Sequence, residues 1–114
     1  MNCKTVLITG ATSGIGKQTA LLLASKVFLV YGTARNVEGK NLPFRLLPID
    51  VREPATIKQA VQQILSEVGR IDVLINNAGV GITGAVEELP ADQLHNVFAT
   101  NLYGAMSVVQ EVLP

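Results

Sequence analysis

The glycine-rich segment TGATSGIGKQT, residues 9–19, is the part of the sequence best suited to binding phosphate. Gly10, Gly14 and Gly16 follow an apolar run and precede a stretch of helical character. Backbone amides at the start of a helix, together with the positive end of the helix dipole, attract phosphate groups. A loop of this kind serves either a nucleoside triphosphate or the pyrophosphate of a dinucleotide.

The residues around the third glycine exclude the triphosphate-binding P-loop. That motif requires a glycine, four further residues and then Gly-Lys-Ser/Thr, whose hydroxyl binds magnesium. Counting back from Gly16 and Lys17 places Ala11 at the first glycine, and Gln18 replaces the hydroxyl. A dinucleotide site instead needs a strand, a tight turn, and glycines where the backbone meets the pyrophosphate and the helix packs on the strand. The three glycines supply these, although a βα turn without a ligand is the structural alternative.

Alternating strands and helices are predicted to position this turn. Continuous apolar runs predict buried strands, at residues 4–9, 28–33, 44–49 and 71–75. Helices are predicted at residues 15–25, from Pro54 to Gly69, and from Pro90 to the carboxyl end. We therefore expect an α/β fold, a doubly wound Rossmann-type parallel sheet of about four strands, with ligands bound beyond the carboxyl ends of its strands.

Side-chain spacing predicts which face of each helix packs on the sheet. In the first helix the predicted face contains Ile15, Thr19, Leu22 and Leu23. In the second it contains Ile57, Ala60, Val61, Ile64, Leu65 and Val68, and in the last Leu94, Val97, Phe98, Leu102, Ala105 and Val109. Asn101 falls within the last stripe. We expect it to be hydrogen-bonded there, because a buried carboxamide without partners costs about 1–3 kcal/mol.

Composition narrows the class of protein and its partners. The chain has 114 residues and no net charge, which gives no reason to expect nucleic acid or an anionic membrane as a partner. Cys3 is the single cysteine, so an internal disulfide is excluded and no metal site is expected. The longest apolar runs fall far short of the ~20 residues of a membrane helix. We expect a cytoplasmic protein.

Four motifs together resemble the short-chain dehydrogenases/reductases. They are TGATSGIG at residues 9–16, DV at 50–51, NNAG at 76–79 and NLYG at 101–104, in the order found in that family. The resemblance implies an oxidoreductase that interconverts an alcohol and a carbonyl of a small molecule by hydride transfer with a nicotinamide cofactor. A homo-oligomer is implied only by analogy. The alternative function is that of a non-catalytic nucleotide-binding or truncated regulatory protein.

The residues after the second predicted strand favour NADP(H) over NAD(H) as the cofactor. NAD-specific folds place an acidic side chain on the ribose 2′-hydroxyl, about 20 residues past the glycine turn. Ala34 stands at that position, and Arg35 follows it. An arginine binds phosphate through paired charge-assisted hydrogen bonds. The resemblance implies that Ser13 also faces the 2′-phosphate, and the structural alternative for Arg35 is a solvated loop arginine.

The resemblance assigns the remaining cofactor contacts. It places Asp50 on the adenine amino group, although a turn or helix-capping role is an alternative for this aspartate. It places residues 77–79 close to the adenosine ribose, with Asn76 and Asn77 also bracing the central strands. The predicted cofactor-binding residues are Gly10, Ser13, Gly14, Ile15, Gly16, Arg35, Asp50, Val51, Asn77, Ala78 and Gly79.

Only one residue of the family's active site has a counterpart in the sequence. The resemblance implies that Asn101 belongs to that site, where its carbonyl holds a water of a proton relay; a helix-kinking or interface asparagine is the alternative. The family also uses a serine and a Tyr-x-x-x-Lys pair, whereas Tyr31 is followed by Arg35 and Tyr103 by Ser107. We therefore expect residues 1–114 to form the cofactor-binding portion of an incomplete dinucleotide-binding domain, inactive by itself.

Overall fold

Four parallel strands form the centre of the structure, a computed structural model that describes residues 3–79 and 90–113. The strands lie in the order β3-β2-β1-β4. Their bounds are Thr5–Ile8 for β1, Leu29–Ala34 for β2, Arg45–Pro48 for β3 and Val73–Ile75 for β4. The helices are α1 (Gly14–Ala24), α2 (Pro54–Val68), α3 (Ala91–Phe98) and α4 (Ala105–Val112), with a π-helical segment, Ala99–Gly104, between the last two. The predicted α/β fold is confirmed.

The central strand β1 divides the core into two apolar layers. Val6 and Ile8 point to one layer, which also contains Ala20 of α1, whereas Leu7 points to a layer with Ile64 of α2. Every residue of β1 is buried. This explains why the strand is continuously apolar rather than alternating, since both of its faces are covered.

Helix α2 confirms most of the packing face predicted from its amphipathic pattern, although Leu65 is 45% exposed. Ile57, Ala60, Val61 and Ile64 are buried against the sheet. Pro54 occupies the first turn, and Gly69 ends the helix in the left-handed conformation with φ of 78°. Strand β3 ends at Pro48, as expected, because proline cannot donate to a continuing ladder.

The predicted packing face of α1 is only partly correct, since Leu23 packs against the core whereas Ile15 and Leu22 are exposed. Gly16 and Ala20 are the buried residues of this helix. Ile15 is 80% exposed and Leu22 is 58% exposed. The buried positions on the sheet side are small because the helix lies close to the strands, so the hydropathy of Ile15 and Leu22 was misleading.

The last helical region also differs from its prediction. The π-helical segment interrupts it, and the buried residues are Thr100, Gly104 and Val108 rather than the larger side chains of the predicted stripe. A Cβ at Gly104 would lie 2.6 Å from Cγ2 of Val51, so this residue must be small for the helix to reach the turn after β3. Among the described residues, no helix combines the length and apolar character needed to cross a membrane.

Candidate functional site

A cleft opens at the carboxyl ends of the strands, where the strand order reverses. The chain passes from β1 to β2 and β3 on one side, and β4 then lies on the other side of β1. Such a switch point is where doubly wound sheets bind ligands, because the loops after neighbouring strands diverge there. The cleft is lined by Gly10, Thr12, Ser13, Thr33, Ala34, Arg35, Ile49, Asp50, Val51, Arg52, Ala78, Gly79 and Thr100.

The glycine turn brings the start of α1 against the turn after β4. Gly10 has φ of +67°, and a Cβ there would lie 2.9 Å from Cα of Ala78. A Cβ at Gly16 would overlap Nδ2 of Asn77 and the carbonyl oxygen of Gly10. Both positions therefore require glycine on steric grounds, as the dinucleotide-binding pattern predicts.

The first turn of α1 presents backbone amides that its own hydrogen bonds do not use. Ser13 is the N-cap and makes no side-chain capping hydrogen bond. The N–H of Lys17 donates to the carbonyl oxygen of Ser13 at 3.2 Å. The amides of Gly14, Ile15 and Gly16 precede this bond and have no partner within the helix, so together with the helix dipole they suit an anion.

Thr9 and Asn77 hold the ends of β1 and β4 together. Oγ1 of Thr9, which is fully buried, accepts hydrogen bonds from the backbone N–H of Asn77 at 3.0 Å and of Ala78 at 2.9 Å. Nδ2 of Asn77 donates to the carbonyl oxygen of Gly10 at 3.0 Å. The bracing role considered for Asn77 is therefore observed. Sequence reasoning missed Thr9, and its one signal was a hydroxyl at the end of an apolar strand.

Charged groups concentrate at the other end of the cleft, beside β2 and β3. Arg35 is exposed directly after β2, and Asp50 lies two residues after β3. Arg52 forms an ion pair with Asp50 at 2.9 Å. Hydrogen bonds from Arg52 lower the pKa of Asp50 below its usual range, and the positive charge of Arg35 acts in the same direction. Asp50 is therefore an ionised acceptor at neutral pH.

Asp50 occupies a turn and does not cap α2. Its Oδ1 accepts a hydrogen bond from the backbone N–H of Arg52, two residues on, at 3.0 Å. The N-cap of α2 is Glu53. Of the two structural alternatives for Asp50, the turn role is thus observed and the capping role is wrong. The turn leaves the carboxylate beside the cleft, so a ligand-binding role remains compatible with it.

Asn101 lies in the π-helical segment and is exposed rather than buried, which corrects the expectation from its place in the apolar stripe. The extra residue in a π turn changes the direction of the side chains that follow, which a regular helical period does not anticipate. A Cβ at Gly79 would lie 3.1 Å from Oδ1 of Asn101. Asn76 braces the same region, since its Nδ2 donates to the carbonyl oxygen of Ala105 at 3.3 Å.

The structure brings most predicted site residues together. Those that line the cleft are Gly10, Ser13, Arg35, Asp50, Val51, Ala78 and Gly79. Gly16 and Asn77 pack directly behind the glycine turn, and Gly14 and Ile15 begin α1 at its edge. Arg52 was missed, although its spacing of two from Asp50 was visible in the sequence. Within residues 3–79 and 90–113, no group of three His, Cys, Asp or Glu side chains is placed to hold a metal ion.

Comparison with known proteins identifies the family. The family model for short chain dehydrogenase matches residues 4–114. The chain belongs to this family. This match confirms the resemblance inferred from the sequence motifs. Short-chain dehydrogenases are oxidoreductases.

Similar short-chain dehydrogenases include one curated relative and two solved structures. The 3-ketodihydrosphingosine reductase of Bacteroides thetaiotaomicron is 44% identical over 114 residues, which cover 100% of this chain and 42% of that protein. Actinorhodin polyketide ketoreductase with NADPH has a TM-score of 0.90 at 34% identity, over 97% of this chain and 46% of that one. ElxO with NADP bound has a TM-score of 0.87 at 28% identity, over 96% and 49%. The chain thus spans less than half the length of these proteins.

Proposed function

We propose that this chain is the cofactor-binding part of an oxidoreductase that interconverts an alcohol and a carbonyl of a small molecule. Residues 1–114 then form one portion of a longer dinucleotide-binding domain. The cleft fits the pyrophosphate of a nicotinamide cofactor, because glycine at positions 10 and 16 permits close approach and the start of α1 offers amides to an anion. When bound, the cofactor supplies the hydride.

The cofactor that we propose is NADP(H). The observation that carries this proposal is that Arg35 lines the cleft directly after Ala34, where an NAD-binding site would have an acidic side chain. Asp50 forms its ion pair with Arg52, at 2.9 Å. The guanidinium of Arg35 is therefore left to interact with a phosphate. Ser13 lines the same cleft and adds a hydroxyl for a 2′-phosphate. The two solved structures described above with NADP or NADPH support the same choice.

We further propose that Asn101 belongs to the active site of the complete enzyme and that the 114-residue chain by itself binds cofactor without catalysing hydride transfer. Asn101 lies beside Gly79, which lines the cleft, and follows Thr100, which also lines it. The sequence has no Tyr-x-x-x-Lys pair. A relative named as a 3-keto reductase supports a ketone as one member of the substrate class. Turnover of a panel of ketones and aldehydes by the purified chain would contradict the proposed inactivity.

Replacing Arg35 by aspartate tests the proposed cofactor. Arg35→Asp should weaken the binding of NADP by about 10- to 100-fold, because a bidentate ion pair with the 2′-phosphate becomes a repulsion. The affinity for NAD should change less, so the preference reverses. Lys58→Asp, at an exposed site of α2 outside the cleft, makes the same change in net charge and should leave the preference intact.

Isothermal titration calorimetry with both nucleotides measures these affinities. An Arg35→Asp variant that keeps the preference of the wild type would disprove the role of Arg35. Failure of the wild-type chain to bind either nucleotide would disprove the proposed function as a whole.

A further inference from the structure

Arg52 holds the carboxylate of Asp50 from one side and contacts a distant helix from the other. Its Nε donates to Oδ1 of Asp50 at 3.1 Å, and its Nη2 donates to Oδ2 at 2.9 Å. Its backbone N–H donates to the same Oδ1 at 3.0 Å. Its Nη1 donates to Oδ1 of Asn96 in α3. Because both ends of the guanidinium are engaged, its plane has little freedom to rotate.

These contacts determine what Asp50 can still bind. A carboxylate offers about four lone-pair positions, two on each oxygen. Among the residues that the structure describes, two hydrogen bonds from Arg52 occupy Oδ1 and one occupies Oδ2, which leaves one acceptor position, on Oδ2. The two-pronged contact fixes the direction of that position. It suits a single N–H donor and disfavours a carbonyl oxygen, since two acceptors repel each other.

The bond to Asn96 also joins the cleft to the last helices. No residue of α3 is fully buried. Arg52 reaches it across 44 positions of sequence from the turn after β3. The same side chain thus connects the end of the cleft beside β3 to the helix that leads into Asn101.

We propose that Arg52 is a positioning residue that aims Asp50 at the exocyclic amino group of adenine, so that the site selects adenine over a purine with a carbonyl at that position. This inference rests on the proposed function, because it requires the adenosine end of a dinucleotide in the cleft. Arg52 acts through Asp50 and need not touch the ligand. The selectivity arises because the remaining acceptor position on Oδ2 accepts a hydrogen bond from an amino group and repels a carbonyl oxygen.

The test compares two half-cofactor probes, adenosine 2′,5′-bisphosphate and its hypoxanthine counterpart, inosine 2′,5′-bisphosphate, titrated into the 114-residue chain. The wild type should bind the adenine probe about tenfold more tightly, the effect of one hydrogen bond to a charged acceptor. In Arg52→Met and Arg52→Lys, the ratio of the affinity for the adenine probe to the affinity for the hypoxanthine probe should fall towards one. Lysine keeps the positive charge but cannot make the two-pronged contact. Arg70→Met is the control, since Arg70 holds Asp72 at 2.9 and 2.6 Å outside the cleft.

The outcomes distinguish a failure of the role of Arg52 from a failure of the proposed function. A wild-type ratio near one, or an Arg52→Lys variant with the full wild-type ratio, overturns the role of Arg52 and leaves the proposed function standing. Equal loss of affinity for both probes in Arg52→Lys, with the ratio kept, shows a merely structural role and also overturns it. If Arg52→Met binds neither probe, the ratio of the two affinities in Arg52→Lys decides whether Arg52 has the proposed role. Failure of the wild type to bind either probe disproves the proposed function itself.

Discussion

Replacing Gly16 by alanine tests the close contact between α1 and the two turns at the cleft. A Cβ at this position would overlap Nδ2 of Asn77 and the carbonyl oxygen of Gly10. Those two atoms are hydrogen-bonded to each other at 3.0 Å. The added methyl group therefore has to break this bond or push the helix away from the sheet.

The size of the effect follows from three opposing contributions. Forcing a methyl group into a packed site costs about 1–3 kcal/mol. Loss of the bond between Asn77 and Gly10 adds about 1 kcal/mol. Alanine is favoured over glycine within a helix by about 1 kcal/mol, which offsets part of the cost. We expect Gly16→Ala to lower the free energy of unfolding by about 1–3 kcal/mol.

Urea denaturation followed by far-UV circular dichroism measures this change, since the chain has no tryptophan to report by fluorescence. The matched control is the same substitution in an Asn77→Ala background. There one of the two overlaps and the hydrogen bond are already gone, so the cost of Gly16→Ala should shrink by about 1 kcal/mol. The reasoning is refuted if Gly16→Ala is as stable as the wild type, or if its cost is the same in both backgrounds.

Two further predictions concern buried hydroxyl groups. Thr9→Val should lower the free energy of unfolding by about 2–4 kcal/mol, because the backbone N–H groups of Asn77 and Ala78 lose their acceptor. Thr9→Ser, which keeps the hydroxyl, should retain most of the stability in the same urea assay, and equal loss in both variants would contradict the argument. Tyr31 donates its hydroxyl to Glu67 at 2.7 Å, and burial, with Glu67 adding to it, raises the pKa of Tyr31. A raised pKa stabilises the folded state fully below the tyrosine's ordinary value, and this contribution is lost as pH rises above about 10. Stability measured against pH should therefore fall more steeply above that value in the wild type than in Tyr31→Phe, and parallel curves would show the prediction to be wrong.

Prediction from the sequence worked best where a local pattern carried the information. The apolar runs located all four strands to within two residues at each end. The physical reason is clearest for β1, all of whose residues are buried, because a strand covered on both faces is rich in apolar residues. The spacing of Ile57, Ala60, Val61 and Ile64 identified the packing face of α2, since that helix has one broad apolar face and a polar back.

Prediction failed where close packing required small residues. The sheet-facing side of α1 carries Gly16 and Ala20, and the buried side of the last helical region carries Thr100 and Gly104. Neither pair stands out in a hydropathy pattern, whereas exposed large residues such as Ile15 do. The π-helical segment further shifted the buried face away from a regular helical period.

The sequence by itself determined the class of fold and the nature of the glycine turn, because both depend on neighbouring residues whose types limit the backbone directly. Only the tertiary structure decided which groups share the cleft. Arg35 follows β2, Asp50 and Arg52 follow β3, and Ala78 follows β4, yet parallel pairing brings all of these strand ends to one edge of the sheet. The contact of Arg52 with Asn96 spans 44 positions. Such distant pairings depend on strand order and helix placement, which are properties of the whole folded chain rather than of any local run of residues.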